Sequence, residues 1–210
     1  KPGPGMRLKS AGYDVDFEVS RTIVTTVPVR SGLPGRMADV EAAIRWVRRE
    51  LRVGTGPRAA EWRLSVILRE SADSSKAFLC DTYSRAFVIV MQSMGYPARV
   101  IFLSDHITSE VYVPELGQWV LADAIYDLVA RTPDGTPLSL IATMRRLRNG
   151  QKVNYRAVVG QEGNDDDLDP ANRRPVEAML RSGSLFFMDG SLAFERISKG
   201  DRVRALLFEP

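Results

Sequence analysis

One cysteine and one histidine occur in the 210 residues, and the sequence around each suits a nucleophile and its base. Cys80 opens a helix-patterned run, Cys80-Asp-Thr-Tyr-Ser-Arg-Ala-Phe-Val-Ile-Val-Met-Gln-Ser-Met. A cysteine in the first turn of a helix faces unpaired backbone N–H groups and the positive end of the helix dipole, and both favour thiolate over thiol. The same N–H groups can face a carbonyl oxygen that gains negative charge under attack. A thiol at neutral pH needs a base, and the base needs a third group to fix its tautomer. The competing reading of a lone cysteine is a buried packing residue.

His106 opens a strand-patterned run that turns and returns carrying Asp123. Strand alternation puts His106 on one face with Thr108, Glu110 and Tyr112, and on the returning strand Trp119, Leu121 and Asp123 share a face. With an even-numbered loop, Pro114-Glu115 or Pro114 to Gly117, opposed residues have position numbers that sum to an odd value. The shorter loop sets His106 directly across from Asp123, and the longer one sets them diagonally. Either way the two side chains leave the same face about 5–8 Å apart at their Cβ atoms. An odd loop without a bulge would separate them. An aspartate beside the imidazole would aim one ring nitrogen outward and stabilise the imidazolium formed when Cys80 loses its proton.

The elements that must position these groups can be read by periodicity. Ala38 to Leu51 is an amphipathic helix with Val40, Ile44, Val47 and Leu51 on one face. Its arginines, Arg45, Arg48, Arg49 and Arg52, read as a solvated face in preference to a polyanion-binding ridge. Gly54-Thr-Gly-Pro57 breaks that helix, and Ala60 to Leu68 begins a shorter one. In the cysteine helix Tyr83, Phe87, Val90, Met91 and Met94 recur at a spacing of three and four, so one side is core; Gly95 and Pro97 stop it. Strand signals follow at Ala98 to Leu103, Ile107 to Val113 and Gln118 to Ala122. Asp14 to Val29 reads as a strand leading to a turn at Ser31 to Gly35. Beyond Asp127 the pattern weakens. A short basic helix is expected over Pro137 to Arg148, a polar loop over Gly160 to Pro175 and a helical turn or two over Pro175 to Arg181. A hairpin around Asp189-Gly190 and a strand from Arg202 to Phe208 complete the reading.

Length suits one domain with an ordinary core. The expected division is a flexible segment over 1–12 and a single domain over 13–210, with a motif-bearing core at 38–127 and a β-rich extension at 128–210. One cysteine excludes an intrachain disulfide and a multi-cysteine zinc site, but it does not fix the compartment; cytoplasm and periplasm both fit. The chain opens at Lys1 without methionine, as a trimmed or excised piece would. The longest apolar runs are too short to span a membrane. A net charge of +3 with a pI near 9.2 supports weak attraction to polyanions and no more, so no nucleic-acid partner is expected.

The Cys80 run, followed by Met94-Gly-Tyr-Pro-Ala-Arg-Val100, resembles the transglutaminase-like branch of the papain-like thiol enzymes. That branch carries a cysteine-headed helix ending in a Gly-Ile-Pro-Ala-Arg-type motif. The segment from His106 through Glu110, Tyr112, Gly117 and Trp119 to Asp123 is similar to its His–strand–Trp–strand–Asp motif. The resemblance covers about Ala38 to Asp127. It implies an α+β fold of papain/transglutaminase-like type, with the cysteine helix packed on an antiparallel sheet bearing His and Asp. It carries over Cys80 as nucleophile, His106 as base and Asp123 as orienter. Two positions depart from the family. Leu79 stands where glycine is usual, which would crowd the substrate carbonyl. Thr108 stands where an aromatic is frequent, which would change the wall of the acyl site. Candidates for a second oxyanion donor are Trp62, Ser74 and Ser75.

Asp165, Asp167 and Asp169 are spaced like the first ligands of a calcium loop but lack its glycine and its distal glutamate, so a solvated acidic loop is preferred. No metal and no cofactor is implied. The expected activity is thiol-dependent acyl transfer on amide or peptide bonds of a protein or peptide substrate, with hydrolysis preferred to transamidation. The alternatives are an inactive scaffold or binding domain on the same fold and a basic polyanion-binding module. The oligomeric state is not readable.

Overall fold

A four-residue turn at Pro114–Gly117 joins the two strands on which the sequence places histidine and aspartate, and the sheet extends on both sides of that hairpin. The structure is a computed structural model that describes residues 9–10, 13–14, 37–54, 64–94, 96–103, 106–158, 170–182 and 185–190. A small pairing of β1 (Lys9–Ser10) with β2 (Tyr13–Asp14) stands apart from the main sheet. The main sheet contains β3 (Ala98–Leu103), β4 (Ile107–Val113), β5 (Gln118–Asp123), β6 (Leu128–Arg131), β7 (Asn154–Ala157) and β8 (Leu185–Gly190). Its six strands are all antiparallel, in the order β7-β6-β5-β4-β3-β8, so the β4–β5 hairpin occupies the middle.

Five helices complete the described architecture: α1 (Met37–Glu50), α2 (Leu64–Ser71), α3 (Cys80–Ser93), α4 (Leu140–Arg148) and α5 (Pro170–Ser182). Strand alternation divides the core in two. Val111, Val113, Val120 and Ala122 face α1 and α3, where Ile44, Val47, Phe87 and Val90 are buried against them. Ile101, Leu121 and Leu128 face the opposite way, onto Leu140, Met144 and Leu147 of α4 and Val176 and Leu180 of α5. The result is the expected α+β architecture, with a helix layer on each face of one antiparallel sheet. The apolar faces of α1 and α3 are the ones their spacing predicts.

Other elements correct the sequence reading. β6 and β7 were not foreseen, because each is only four residues long and too short to display a period. α5 begins at Pro170, a full turn or more ahead of the expected start; Pro175 lies inside the helix instead of opening it. Asp189 and Gly190 do not form a turn: they pair with Val100 and Arg99 as the last residues of β8. Most of the expected strand over Asp14–Val29, the turn at 31–35, the loop over 160–169 with its three aspartates, and the strand over 202–208 lie outside the described residues.

Local contacts set the approach to Cys80. Gly54 N–H donates to Phe78 O and Phe78 N–H donates to Arg52 O, so residues 52–54 and the segment before the cysteine run side by side. A Cβ on Gly54 would stand 2.6 Å from that of Ala77, which makes glycine a condition of this approach. Pro97 follows the α3 C-cap, and the Gln92 side-chain amide donates to Ala98 O at 3.0 Å, fastening the end of α3 to the start of β3.

Candidate active site

Cys80 is the first residue of α3, preceded by Leu79 in extended conformation (φ −101°, ψ −176°). The Leu79 side chain makes no capping hydrogen bond, so the first N–H groups of the helix are not consumed by a conventional cap. Further along the same turn, Thr82 N–H bonds the Asp81 carboxylate at 2.8 Å. The Cys80 side chain is half-buried.

The β4–β5 register pairs Ser109 with Ala122 and Tyr112 with Trp119. Position numbers thus sum to an odd value, as the longer loop requires. Extending the register sets Thr108 across from Asp123 and leaves His106 diagonal to it. His106 Nε2 lies 2.6 Å from Asp123 Oδ2, with both side chains buried. Thr108 Oγ1 donates to the same oxygen at 2.8 Å. The other oxygen, Oδ1, accepts from Ile125 N–H at 3.2 Å and Tyr126 N–H at 3.1 Å. A carboxylate so saturated cannot rotate without breaking several bonds together, and this fixes the imidazole it holds.

With Nε2 committed to Asp123, Nδ1 is the ring nitrogen left for the sulfur. Burial pushes the Cys80 thiol up, but its hydrogen bond to His106, the Ile107 backbone N–H and the charge of His106 outweigh that, and the thiol ends below its ordinary value of 9.0. For His106, burial pulls the pKa down, yet the charge and hydrogen bond of Asp123, with the contact to Cys80, push it up to about 10. Asp123 is raised by burial but held below its usual range by the imidazole, Tyr126 N–H and Thr108. All three directions favour one state: thiolate, imidazolium and carboxylate.

Several residues that the sequence reading did not single out complete the site. Tyr126 packs its ring against His106, with centroids 5.1 Å apart and planes tilted by 50°. Burial and the charges of Asp123 and Cys80 raise its phenol, which therefore stays protonated through the neutral range. Ser84, one turn after Cys80, donates to Ile107 O at 2.9 Å. Ile107 is thus held from both sides of its peptide, with its carbonyl on Ser84 and its N–H on the sulfur. An aromatic three positions after the aspartate and a hydroxyl four positions after the cysteine are the only traces of these roles in the sequence.

One expectation changes here, the solvated placement of Arg48. Thr108 is 1% exposed and spends its hydroxyl on Asp123. Leu79 is 42% exposed beside the thiol, an apolar side chain left in solvent instead of in the core. Among the α1 arginines, Arg45 and Arg49 are solvent-facing as expected, but Arg48 turns inward onto backbone carbonyls at the end of β5. Of the oxyanion candidates, Ser75 has both its N–H and hydroxyl on Asp73, at 2.9 and 2.8 Å. Ser74 gives its carbonyl to Arg52, and Trp62 lies outside the described residues. Among the described residues no group of three or more His, Cys, Asp or Glu side chains could hold a metal ion, and no helix is long and apolar enough to cross a membrane.

Residues 25–124 match the family model of the transglutaminase-like superfamily, a superfamily that includes enzymes acting through Cys, His and Asp. The matched stretch contains Cys80, His106 and Asp123. No curated protein sequence matches the chain.

Proposed function

From a transglutaminase-like core over residues 25–124, we propose that this chain is a thiol-dependent acyl-transfer enzyme acting on amide or peptide bonds, with Cys80 as nucleophile, His106 as acid and base, and Asp123 as orienter. The observation that carries the reading is the buried 2.6 Å contact between His106 and a carboxylate fixed by three further donors, next to a cysteine at a helix N-terminus.

The resting pair is thiolate and imidazolium, because the imidazole is pushed up to about 10 while the thiol is pulled below 9.0. Thiolate Cys80 attacks the amide carbonyl carbon, and the carbonyl π-electrons move onto oxygen. First-turn N–H groups of α3, other than that of Thr82, which Asp81 already accepts, would stabilise that oxygen. As the C–N bond breaks, the His106 imidazolium gives its proton to the leaving nitrogen, and a thioester remains on Cys80. A water then attacks the thioester while neutral His106 removes its proton. The carboxylic product leaves, and thiolate and imidazolium are restored. Asp123 stays ionised throughout. Hydrolysis is preferred to transamidation because water is always present, whereas a transamidase needs a dedicated amine-binding site.

Labelling by iodoacetamide tests the assignment. The wild-type chain should label at Cys80 at pH 6 far faster than a free cysteine, and His106→Ala should slow this by about 10²-fold or more. Labelling only at alkaline pH, indifferent to His106→Ala, would instead mark an inactive scaffold. Mass spectrometry of a trapped acyl adduct then reports the donor.

A further inference from the structure

The groups that hold Asp123 are themselves held from another helix. Ile125 and Tyr126 offer their N–H groups to Asp123 Oδ1 because the chain folds into a turn over Ala124–Asp127, which ends with Asp127 in the left-handed region (φ 57°). Aspartate tolerates that region better than most residues other than glycine, and Arg48 of α1 braces the turn it ends. Its Nη1 donates to Ala124 O at 3.1 Å and to Ile125 O at 2.6 Å, and its Nε lies 3.9 Å from Asp127 Oδ1. The guanidinium fork therefore spans the turn whose N–H groups point back at the carboxylate.

The same stretch of α1 also reaches the cysteine half of the site. Tyr83, three residues after Cys80, donates its hydroxyl to Leu51 O at 2.7 Å, just past the end of α1. One helix end thus braces both partners of the reaction.

Resting on the Cys80–His106–Asp123 reading, we propose that Arg48 is a positioning residue that fixes Asp123, and through it the His106 imidazolium, by clamping the carbonyls of the Ala124–Asp127 turn. The solvated-face reading gave this arginine no role. Without the clamp the turn relaxes and Asp123 loses aligned donors. The imidazolium is then held less firmly, and the thiolate it supports forms only at higher pH. Among the described residues, the titratable and charged groups near the thiol are His106, Asp123 and Tyr126, with Asp81 next to it in the same helical turn, and those near Arg48 are Asp127 and Tyr83.

The test is the pH dependence of iodoacetamide labelling of the full chain. Arg48→Met should raise the pH of half-maximal labelling by about one unit, a tenfold loss of rate on the acid limb. Arg48→Lys keeps the charge but replaces the fork with a single-point donor, so it should fall between Arg48→Met and wild type. Glu41→Gln is the control: Glu41 ties the same helix to Arg131 and Arg156 on β6 and β7, at 3.2 and 3.6 Å, away from the thiol. It should lower the melting temperature without moving the profile. The inference is overturned if Arg48→Met labels like wild type, or if Glu41→Gln shifts the profile as far. Should Arg48→Met fail to fold, Arg48→Lys decides by the same criterion. A wild-type chain without acid-pH labelling would instead defeat the catalytic reading itself, so the two failures are distinguishable.

Discussion

On the proposed reading, Asp123 sets the pH range over which Cys80 and His106 hold as thiolate and imidazolium. The thiolate–imidazolium state exists between the lowered thiol pKa and the raised imidazole pKa of about 10. Asp123→Asn removes the charge that raises the imidazole. The alkaline limit should then fall from about 10 toward the ordinary 6.5, while the acid limit does not rise on this account, because the Asp123 charge itself raises the thiol. The window narrows from its alkaline side, which a pH titration of the His106 ring by NMR in wild type and variant would show. Stability should follow. A raised His106 contributes below its unfolded value of 6.5 and loses that contribution as pH climbs toward 10; a depressed Asp123 contributes above 3.8 and loses it as pH falls further. Asn at 123 forfeits both contributions across the neutral range. That His106 and Asp123 would meet was legible in the sequence, because a two-residue period and the length of the loop between the strands constrain them. Thr108, Tyr126 and Arg48 were not, since their roles arise from a turn and from a contact between distant segments.

At the scale of elements, the approach to α3 is as constrained as its first residue. Residues 52–54 lie against 77–79 through Gly54 and Phe78. Gly54→Ala brings its methyl within 2.6 Å of Ala77 Cβ, so one segment must shift. Loss of about 1–3 kcal/mol is expected from such overpacking, together with slower Cys80 labelling, because the displaced segment leads directly into Cys80. Equilibrium unfolding and labelling on one sample measure both. Helices α1 and α3 were readable because each carries a sustained apolar stripe. Four-residue strands such as β6 carry no period. Leu128, Val129 and Ala130 are all buried, which makes that strand a short apolar run instead of an alternating one. α5 was cut short in the reading because proline inside a helix normally ends it.

The whole molecule depends on a second polar cluster on the sheet face opposite α3. Arg99 and Glu110 are 4% and 0% exposed and bond at 2.5 and 2.8 Å. Arg99 lies 3.8 Å over the Trp119 ring, and Glu110 also accepts Leu140 N–H at 2.5 Å at the start of α4. The cluster links β3, β4, β5 and α4, so it decides how the helix layer away from the thiol seats. Arg99→Met leaves the buried Glu110 carboxyl short of its main partner and should destabilise by about 3–5 kcal/mol, read from the denaturant midpoint. Sequence reading saw the Ala-Arg pair only as part of a motif; the buried pairing requires the register that brings Arg99 opposite Glu110.

The outer neighbour of β3 is β8, drawn from residues 185–190, whereas β4 meets its partners through short connections. During synthesis the hairpin bearing His106 and Asp123 can therefore form early, while the flank of β3 stays open until the later strand emerges. A ribosome would display this hairpin and the helix that Cys80 opens before the strand that covers the outer edge of β3 has emerged.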